Sequence, residues 1–352
     1  MNPSMLLKAA LHKQPTPRPP LWLMRQAGRY LPEYMEVRAQ HPNFMNFCLD
    51  SVAATAVTLQ PVYRFNLDAA IIFADILTIP HALGHKVSFT PAHGPIVERL
   101  TTPEQVAELR QHLPTLTQKL APVAETVMRA RATLPPDKAV IGFSGAPWTL
   151  ATYLLDAKPS QSVENTLHFA KVRPAAFDEL IHTLTDAVTA YLHMQLAAGA
   201  DVVQVFDSWA SSCPPELWEL AVHNPLVAIV QAIRQTSQAP VILFPRAVAP
   251  QKLEALAKSV SGQNVALSLS TEVDIEWAVN TLQAHVAIQG NLDPHLFTLD
   301  SPEPLRRAAE KLLTIGQRSP GFVLNTGHGL TPQTRIERVE ELAHLVQNWK
   351  AA

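Results

Sequence analysis

The feature that most constrains the fold of this chain is an alternation of short apolar runs with helical patterns, repeated eight times. Each run is followed by turn residues, and a helical pattern comes next. The runs are continuously apolar, as in strands of a parallel sheet that is covered on both faces. The alternation therefore predicts an α/β fold with a parallel sheet. The eight predicted strands are residues 21–24, 69–73, 140–143, 202–206, 241–244, 265–269, 286–288 and 322–324.

Two α/β architectures fit this alternation. Eight units favour a closed (β/α)8 TIM barrel, which typically takes about 250 residues and grows by insertions. The alternative is a doubly wound sheet, which usually carries a glycine-rich phosphate loop after its first strand. Neither GxGxxG nor GxxxxGK occurs in the 352 residues. We therefore predict a single TIM-barrel domain over residues 1–352, although the length also suits two ordinary domains.

The segments between the predicted strands indicate helices. Residues 102–131 form a long helical pattern that Pro114 and Pro122 must break or kink. Residues 1–20 carry four prolines between positions 15 and 20 and are predicted to be an irregular N-terminal extension. The other predicted helices are residues 32–40, 51–63, 173–198, 214–235, 250–259, 274–284, 302–315 and 332–349.

Composition narrows the class of protein. The formal net charge of -2 gives no reason to expect binding to nucleic acid or to an anionic membrane surface. The longest uncharged stretch, residues 139–155, is interrupted by Gly142, Gly145 and Pro147, so no membrane span is expected. The first residues lack a signal-peptide pattern, and the two isolated cysteines exclude a disulfide framework. A cytoplasmic protein is the expectation.

Candidate functional residues stand where the predicted strands end, because a TIM barrel builds its site at the carboxyl ends of its strands. No lysine lies directly at such an end, which argues against Schiff-base or pyridoxal phosphate chemistry. The polar residues at the strand ends are Arg25, Arg29, Asp75, Ser144, Asp207, Ser208, Arg246, Ser270, Asn291, Asp293 and His328.

Two arginines follow the first apolar run. Arg25 and Arg29 are four residues apart, and no acidic residue comes before Glu33. Guanidinium groups without a local partner suit a carboxylate or phosphate from outside the chain, which they can bind bidentately. Two solvated surface arginines are the ordinary alternative.

Three further side chains have both a functional and an ordinary interpretation. Asp75 lies between apolar residues. It is either a carboxylate that binds a cation or the N–H donors of a ligand, or the residue that caps the following turn. His328, between Gly327 and Gly329, either faces a pocket as a proton carrier or is a surface loop histidine. Tyr153 lines the site or is a core aromatic.

Metal and serine-hydrolase sites are not expected. His81, His85 and His93 are close in sequence, but Gly84 disfavours a helix there and no HExxH motif or cysteine pair accompanies them. A Ser–His–Asp hydrolase would carry a GxSxG elbow, which is absent from the sequence.

Several motifs resemble one family, uroporphyrinogen decarboxylase. Residues 20–34, PLWLMRQAGRYLPEY, resemble its N-terminal signature, and residues 142–150, GFSGAPWTL, resemble its second signature. The resemblance spans nearly the whole chain, and both long motifs are highly specific. Shorter matching blocks are residues 73–77, 206–209, 289–294 and 327–329.

The resemblance implies a homodimer of single (β/α)8 domains that uses neither metal nor organic cofactor. The family removes carbon dioxide from the four acetate side chains of uroporphyrinogen III and gives coproporphyrinogen III. By motif, the carboxylates of the substrate would be bound by Arg25, Gln26 and Arg29, with Ala27 and Gly28 in the same turn. Asp75 would bind the pyrrole N–H groups and stabilise a cationic ring. The pocket would be completed by Tyr153, Phe206, Ser208 and His328.

The proton donor remains open among Arg29, Arg25 and a water that they hold. Four positions depart from the family pattern and put loop geometry in doubt: Ala247, Ser268, Ser270 and Thr326. Two other functions fit a similar barrel. A corrinoid-linked methyltransferase would bring a zinc-binding His/Cys set, and a tetrapyrrole-binding protein would release no carbon dioxide.

Overall fold

The structure is a computed structural model, which describes residues 5–90, 94–157 and 162–350. Within these residues, seven strands form a curled parallel sheet with the neighbour order β1-β4-β5-β6-β7-β8-β9, and β2 and β3 form an antiparallel hairpin. The predicted α/β fold with a parallel sheet is confirmed, whereas the hairpin was not predicted. The strands are β1 (Ala69–Ile71), β2 (Val87–Thr90), β3 (Gly94–Val97), β4 (Ala139–Gly145), β5 (Val202–Asp207), β6 (Val241–Pro245), β7 (Val265–Ser268), β8 (Ala287–Leu292) and β9 (Phe322–Thr326).

Helices follow the strands of the parallel sheet and cover its outer face. The predicted break of residues 102–131 is confirmed, with Pro114 in a 3-10 turn and Pro122 in the first turn of a new helix. The helices are α1 (Leu6–Leu11), α2 (Pro32–Ala39), α3 (Phe44–Cys48), α4 (Ser51–Phe65), α5 (Thr78–Ala82), α6 (Pro103–Gln111), α7 (Leu116–Lys119), α8 (Ala121–Thr133), α9 (Pro147–Asp156), α10 (Glu164–Val172), α11 (Pro174–Ala197), α12 (Pro215–Trp218), α13 (Asn224–Thr236), α14 (Pro250–Ser259), α15 (Ile275–Thr281), α16 (Glu303–Gly316) and α17 (Ile336–Gln347).

The first predicted strand is the exception. Residues 21–24 form only a single parallel bridge, between Leu21 and Leu324. The backbone is nevertheless bonded on both sides, because Asp68 N donates to Leu21 O (2.9 Å) and Leu324 N donates to Pro20 O (3.0 Å). The predicted strand was too long because Met24 N donates to the side chain of Asn325 (3.0 Å) instead of to a strand.

The concave side of the sheet is filled by an inner core. Small and apolar side chains from every parallel strand form one buried cluster there with Trp22 and Met24. A buried polar group lies among them: the indole of Trp22 donates to Gln289 (2.8 Å), and Gln289 donates to Gln204 (3.2 Å) and Ser268 (3.1 Å). This packed layer lies directly beneath the carboxyl ends of the strands.

The N-terminal segment was predicted to be irregular, and for residues 6–11 that prediction was wrong. They form helix α1, with Leu7, Ala10 and Leu11 at most 1% exposed. These side chains belong to the inner core, together with first residues of strands such as Ala69 and Ala139. The apolar side chains of this short helix therefore cover the amino end of the sheet. No helix among the described residues has the length and apolarity that crossing a membrane requires.

Candidate active site

Asp75 lies in the loop between β1 and α5. Its Oδ1 accepts a hydrogen bond from Leu77 N (2.8 Å), which forms the turn that the ordinary interpretation predicted. Its Oδ2 receives no hydrogen bond from the residues that the structure describes. Burial raises the pKa of the half-buried Asp75 carboxyl, and the Leu77 bond and the charge of Arg25 oppose this rise. One oxygen therefore holds the turn while the other is free for a ligand.

Tyr153, on α9, lies near Asp75. The two loops touch because Gly145, at the end of β4, has no side chain: a Cβ there would lie 3.0 Å from Cβ of Ile76. Burial raises the pKa of the Tyr153 phenol, the Asp75 carboxylate adds to the rise, and a hydrogen bond with the Trp209 side chain opposes it. The phenol is therefore a neutral hydrogen-bonding group beside Asp75.

Arg25 joins this loop to the turn after the last strand. Its backbone has a φ of +61°, in the left-handed region that costs a non-glycine residue energy. A Cβ on Gly329 would lie 2.4 Å from Cδ of Arg25, so only glycine allows the two segments to pack this closely. The guanidinium is exposed and has no ion pair among the described residues. It is therefore available to an anion.

His328 lies on the same turn. Its Nδ1 accepts a hydrogen bond from Gly329 N (2.6 Å), which assigns the ring proton of the neutral form to Nε2. Burial lowers the pKa of His328 to about 4, and the charges of Arg246 and Arg25 contribute. His328 is therefore a neutral imidazole near pH 7 that can donate a hydrogen bond from Nε2.

Gln26 differs in position from the arginines beside it. Its side chain is 0% exposed; Oε1 accepts from Leu23 N (3.1 Å) and Nε2 donates to Ala69 O (3.0 Å). The amide therefore ties the turn to β1 and presents no surface to a ligand. The half-buried Ala27 and Gly28 complete this turn.

Arg29 is exposed. Its charge contributes, as the smallest of several causes, to the pKa of Tyr34. The Tyr34 ring contacts the ring of Phe73, two residues before Asp75, with centroids 5.7 Å apart. Arg29 therefore approaches the Asp75 loop through Tyr34 and Phe73.

Phe206 and Ser208 lie around the end of β5 and are half-buried. The Phe206 ring makes edge contacts with Phe143 (5.6 Å between centroids) and Phe244 (6.1 Å), which builds an apolar wall. The Ser208 hydroxyl has no hydrogen-bond partner in the described parts of the chain. It is therefore free to bind a polar group.

Asp207 separates these two residues and is 1% exposed. Its Oδ1 accepts from Thr149 Oγ1 (2.6 Å), and Thr149 Oγ1 accepts from Trp209 N (3.1 Å). Burial raises the pKa of Asp207 to about 7, and Oδ2 is buried without a partner among the described residues. Asp207 thus holds the start of α9, which carries Tyr153, against the end of β5.

Arg246 was noted as a strand-end residue but was given no role. Its Nε donates to Ser208 O (3.0 Å), its charge helps to lower the pKa of His328, and the charge of Arg25 helps to lower the pKa of Arg246 itself. The signal available in the sequence was an arginine directly after a predicted strand. The sequence assigns Arg246 no role because it gives no distance between this residue and its neighbours.

The departures from the family pattern have local explanations. Ala247 has a φ of +57°, where glycine is favoured, and its N donates to Ser270 Oγ (2.6 Å). Ser268 accepts from Gln289, and Thr326 Oγ1 donates to Asn325 Oδ1 (3.2 Å). Serine at position 270 therefore supports the strained turn that follows Arg246.

In residues 5–90, 94–157 and 162–350, no three His, Cys, Asp or Glu side chains are grouped so that they could hold a metal ion. His93, one of the three histidines weighed above as a metal site, lies outside the described residues. Cys48 and Cys213 are both buried and are free thiols.

Comparison with known proteins agrees with the fold and with the motifs. A methyltransferase from Methanosarcina mazei has a similar structure, with a TM-score of 0.77 over 97% of each chain and 18% identity. At this identity the likeness concerns the fold alone. A family profile described as uroporphyrinogen decarboxylase (URO-D) matches residues 2–349.

Similar sequences carry the same family description. The uroporphyrinogen decarboxylase of Novosphingobium aromaticivorans is 39% identical over 348 residues, 99% of each chain. That of Caulobacter vibrioides is 41% identical over 343 residues, 97% of this chain and 95% of the relative. The chain therefore belongs to the uroporphyrinogen decarboxylase family, as its motifs predicted.

Proposed function

We propose that this chain decarboxylates the four acetate side chains of uroporphyrinogen III and gives coproporphyrinogen III in haem and tetrapyrrole biosynthesis. The observation that carries the proposal is the position of Arg25, whose charge acts on Asp75, Tyr153 and His328. A free guanidinium, a half-buried carboxylate and two neutral hydrogen-bonding groups then share one end of the sheet. Membership of the family supports the same activity.

The proposed substrate is the electrostatic complement of this arrangement. Uroporphyrinogen carries eight carboxylates at its rim and pyrrole N–H donors at its centre. Arg25 and Arg29 are exposed and unpaired among the described residues, so they suit the rim carboxylates. The free Oδ2 of Asp75 suits the central N–H donors.

The chemistry needs an electron sink but no bound cofactor. Protonation of a pyrrole ring on carbon gives a cation, which accepts the electron pair of the breaking carbon–carbon bond as carbon dioxide leaves. Protonation of the resulting exocyclic methylene then gives the methyl group, and the first proton is returned. The Asp75 carboxylate stabilises the cationic ring in this scheme.

The size of this effect is consistent with an enzyme mechanism. At about 4 Å and an effective dielectric constant near 20, an ion pair contributes roughly 4 kcal/mol. If the attraction acts only in the transition state, it accelerates the step about a thousandfold. The proton is delivered in this scheme by Arg25, by Arg29 or by a water that they hold, and each of these is a weak acid near pH 7.

The remaining residues bind or position the substrate. Tyr153 and Nε2 of His328 donate hydrogen bonds, Ser208 offers its hydroxyl, and Phe206 packs against the macrocycle. Gln26 acts only by fixing the turn of Arg25, because both its side-chain amide and its backbone are hydrogen-bonded within the chain.

We also propose the finer architecture. Residues 20–24 close the parallel sheet into a (β/α)8 barrel, because their backbone is bonded to Asp68 on one side and to Leu324 on the other. The barrel is one domain over residues 1–352, acts as a homodimer in the cytoplasm, and binds neither nucleic acid nor membrane. Light scattering of the purified protein tests the dimer, which a monomeric mass would contradict.

The activity is tested by anaerobic incubation with uroporphyrinogen III and chromatography of the oxidised products. We expect the intermediates with seven, six and five carboxylates and then coproporphyrin. Binding without loss of carbon dioxide would favour a tetrapyrrole-binding protein. Zinc in the purified protein, together with methyl transfer to a corrinoid, would favour the methyltransferase that shares this fold.

A further inference from the structure

We propose that Arg246 is an additional substrate-binding residue, which binds one peripheral carboxylate of the macrocycle end-on through its two terminal nitrogens. This inference rests on the proposed function and assigns a further contact in the same site. Arg246 directly follows β6. Its neighbour β5 contains Phe206 and ends one residue before Ser208.

The hydrogen bonding of Arg246 determines which of its edges is free. Nε donates to Ser208 O (3.0 Å), which fixes the plane of the guanidinium. Neither Nη1 nor Nη2 donates to any residue that the structure describes, and no carboxylate within that part of the chain lies within 4.0 Å. The Nη1–Nη2 edge is therefore the one that can bind a carboxylate bidentately.

The surroundings of Arg246 favour an anion. Burial lowers the pKa of Arg246, and the nearby charge of Arg25 lowers it further, while Glu272 opposes both. The neutral His328 lies in the same group and adds no negative charge. The half-buried Arg246 thus has a like charge, the exposed Arg25, and one exposed acidic residue near it, and a substrate carboxylate between the two arginines would relieve their repulsion.

Another half-buried arginine shows what a purely structural role looks like. Burial also lowers the pKa of Arg234, but its two terminal nitrogens donate to the carbonyl oxygens of Ser237 and Ala239. Both Nη groups of Arg234 are thus occupied by the protein, whereas those of Arg246 are not. Arg234→Met is therefore the matched control for Arg246→Met.

The experiment compares these variants in turnover and in binding. For Arg246→Met, we expect KM for uroporphyrinogen III to rise about thirtyfold while kcat changes less than threefold, since a ground-state contact is removed. Arg246→Lys keeps the charge without the planar fork and should raise KM about fivefold. Arg234→Met should keep the KM of the wild type.

Glu272→Gln gives a test of opposite sign. Removal of this negative charge should lower KM about twofold, and the effect should shrink at high salt because exposed charges are screened. If Arg246 only holds the Ser208 loop, Arg246→Lys and Arg246→Met should impair kcat alike and Glu272→Gln should have no effect. That pattern, or an unchanged KM in folded Arg246→Met, overturns the inference.

Binding of uroporphyrin separates this inference from the proposed function. Uroporphyrin is the oxidised octacarboxylate, and its binding is followed by quenching of tryptophan fluorescence without any turnover. Failure of the wild type to release carbon dioxide contradicts the proposed function. Weaker binding of uroporphyrin by Arg246→Met, with unchanged binding by Arg234→Met, supports the carboxylate contact in either case, and equal binding by both overturns it.

Discussion

The two ends of the parallel sheet carry similar charged side chains in opposite states. At the amino end, Asp68 precedes β1 and Asp201 precedes β5, and each is paired with an arginine of the chain. Arg18 binds Asp68 through both terminal nitrogens, at 2.7 and 2.8 Å. At the carboxyl end, Asp75 and Arg25 have no ion pair within 4.0 Å among the described residues.

We interpret this difference as a division between groups that stabilise the fold and groups that serve the proposed function. The amino-end pairs are saturated by the protein itself, since Asp68 also accepts from Leu21 N (2.7 Å) and Asp201 from Val140 N (2.9 Å). Such groups fix the strands and leave nothing for a ligand. The carboxyl-end groups keep a free oxygen or a free guanidinium edge, which costs stability unless a ligand binds. Substitutions at the two ends should therefore have different consequences.

The largest expected effect is at Asp75. Asp75→Asn should lower kcat about a thousandfold, or about 4 kcal/mol, with no loss of folding stability, because burial disfavours the charged carboxyl that is removed. Asp293→Asn is the matched control: Asp293 follows β8 and makes the same turn bond, to His295 N (2.8 Å), as Asp75 makes to Leu77. A decrease below about tenfold, measured by steady-state kinetics, would contradict the cation-stabilising role.

At the amino end the expected loss is one of stability. Asp68→Asn leaves Arg18 without its partner and should lower the free energy of unfolding by about 3 kcal/mol. The turnover of the folded variant should remain within twofold of the wild type. Urea denaturation measures the first quantity, with Arg307→Gln as an exposed-pair control expected within about 0.5 kcal/mol. If Asp68→Asn kept its stability but lost turnover, the proposed division between a stabilising amino end and a functional carboxyl end of the sheet would be wrong.

A smaller effect is expected at Arg29. Arg29→Lys keeps the charge but loses the planar fork, so KM for uroporphyrinogen III should rise about tenfold, or about 1.4 kcal/mol, at unchanged kcat. Arg306→Lys, on the exposed surface of α16, should leave both constants unchanged. Kinetics identical to the wild type would remove Arg29 from the site.

The smallest effect concerns the pH dependence at Asp207. Its folded pKa of about 7 lies above the usual value of 3.8, so its contribution to stability is present at low pH and is lost as pH rises through 7. Between pH 6 and 8, the free energy of unfolding of the wild type should fall by about 1 kcal/mol relative to Asp207→Asn. Parallel pH curves for the two proteins would show that Asp207 is ionised throughout.

The sequence predicted most of the sheet because its central strands are continuously apolar. Seven of the eight predicted strands are present, and the proline positions located the breaks before α7 and α8. Residues 21–24 failed as a full strand because the side chain of Asn325, about three hundred positions away, binds Met24 N. Helix α1 was missed because the prolines at positions 15–20 led us to predict an irregular structure for the whole of residues 1–20, including the short apolar helix before them. Only the first of these effects lacks a local signature.

The site was predicted less completely than the fold. The rule that a barrel places its site at the carboxyl ends of its strands selected Arg25, Asp75 and His328. In the structure, the charge of Arg25 acts on both Asp75 and His328. The rule did not predict that Gln26 is enclosed by backbone, because its partner Ala69 is 43 positions away. Nor did it predict the free terminal nitrogens of Arg246, since residue type alone does not tell which guanidinium nitrogens are already bonded.

The helix that covers the amino end of the sheet has a consequence for the order of events in turnover. Because α1 and the inner core fill that end in the part of the chain that the structure describes, we expect a macrocycle to enter and to leave at the carboxyl ends of the strands. A finished product would then leave before the next molecule enters, and the two would compete for the same site. Accumulated product should accordingly slow the enzyme by simple occupancy.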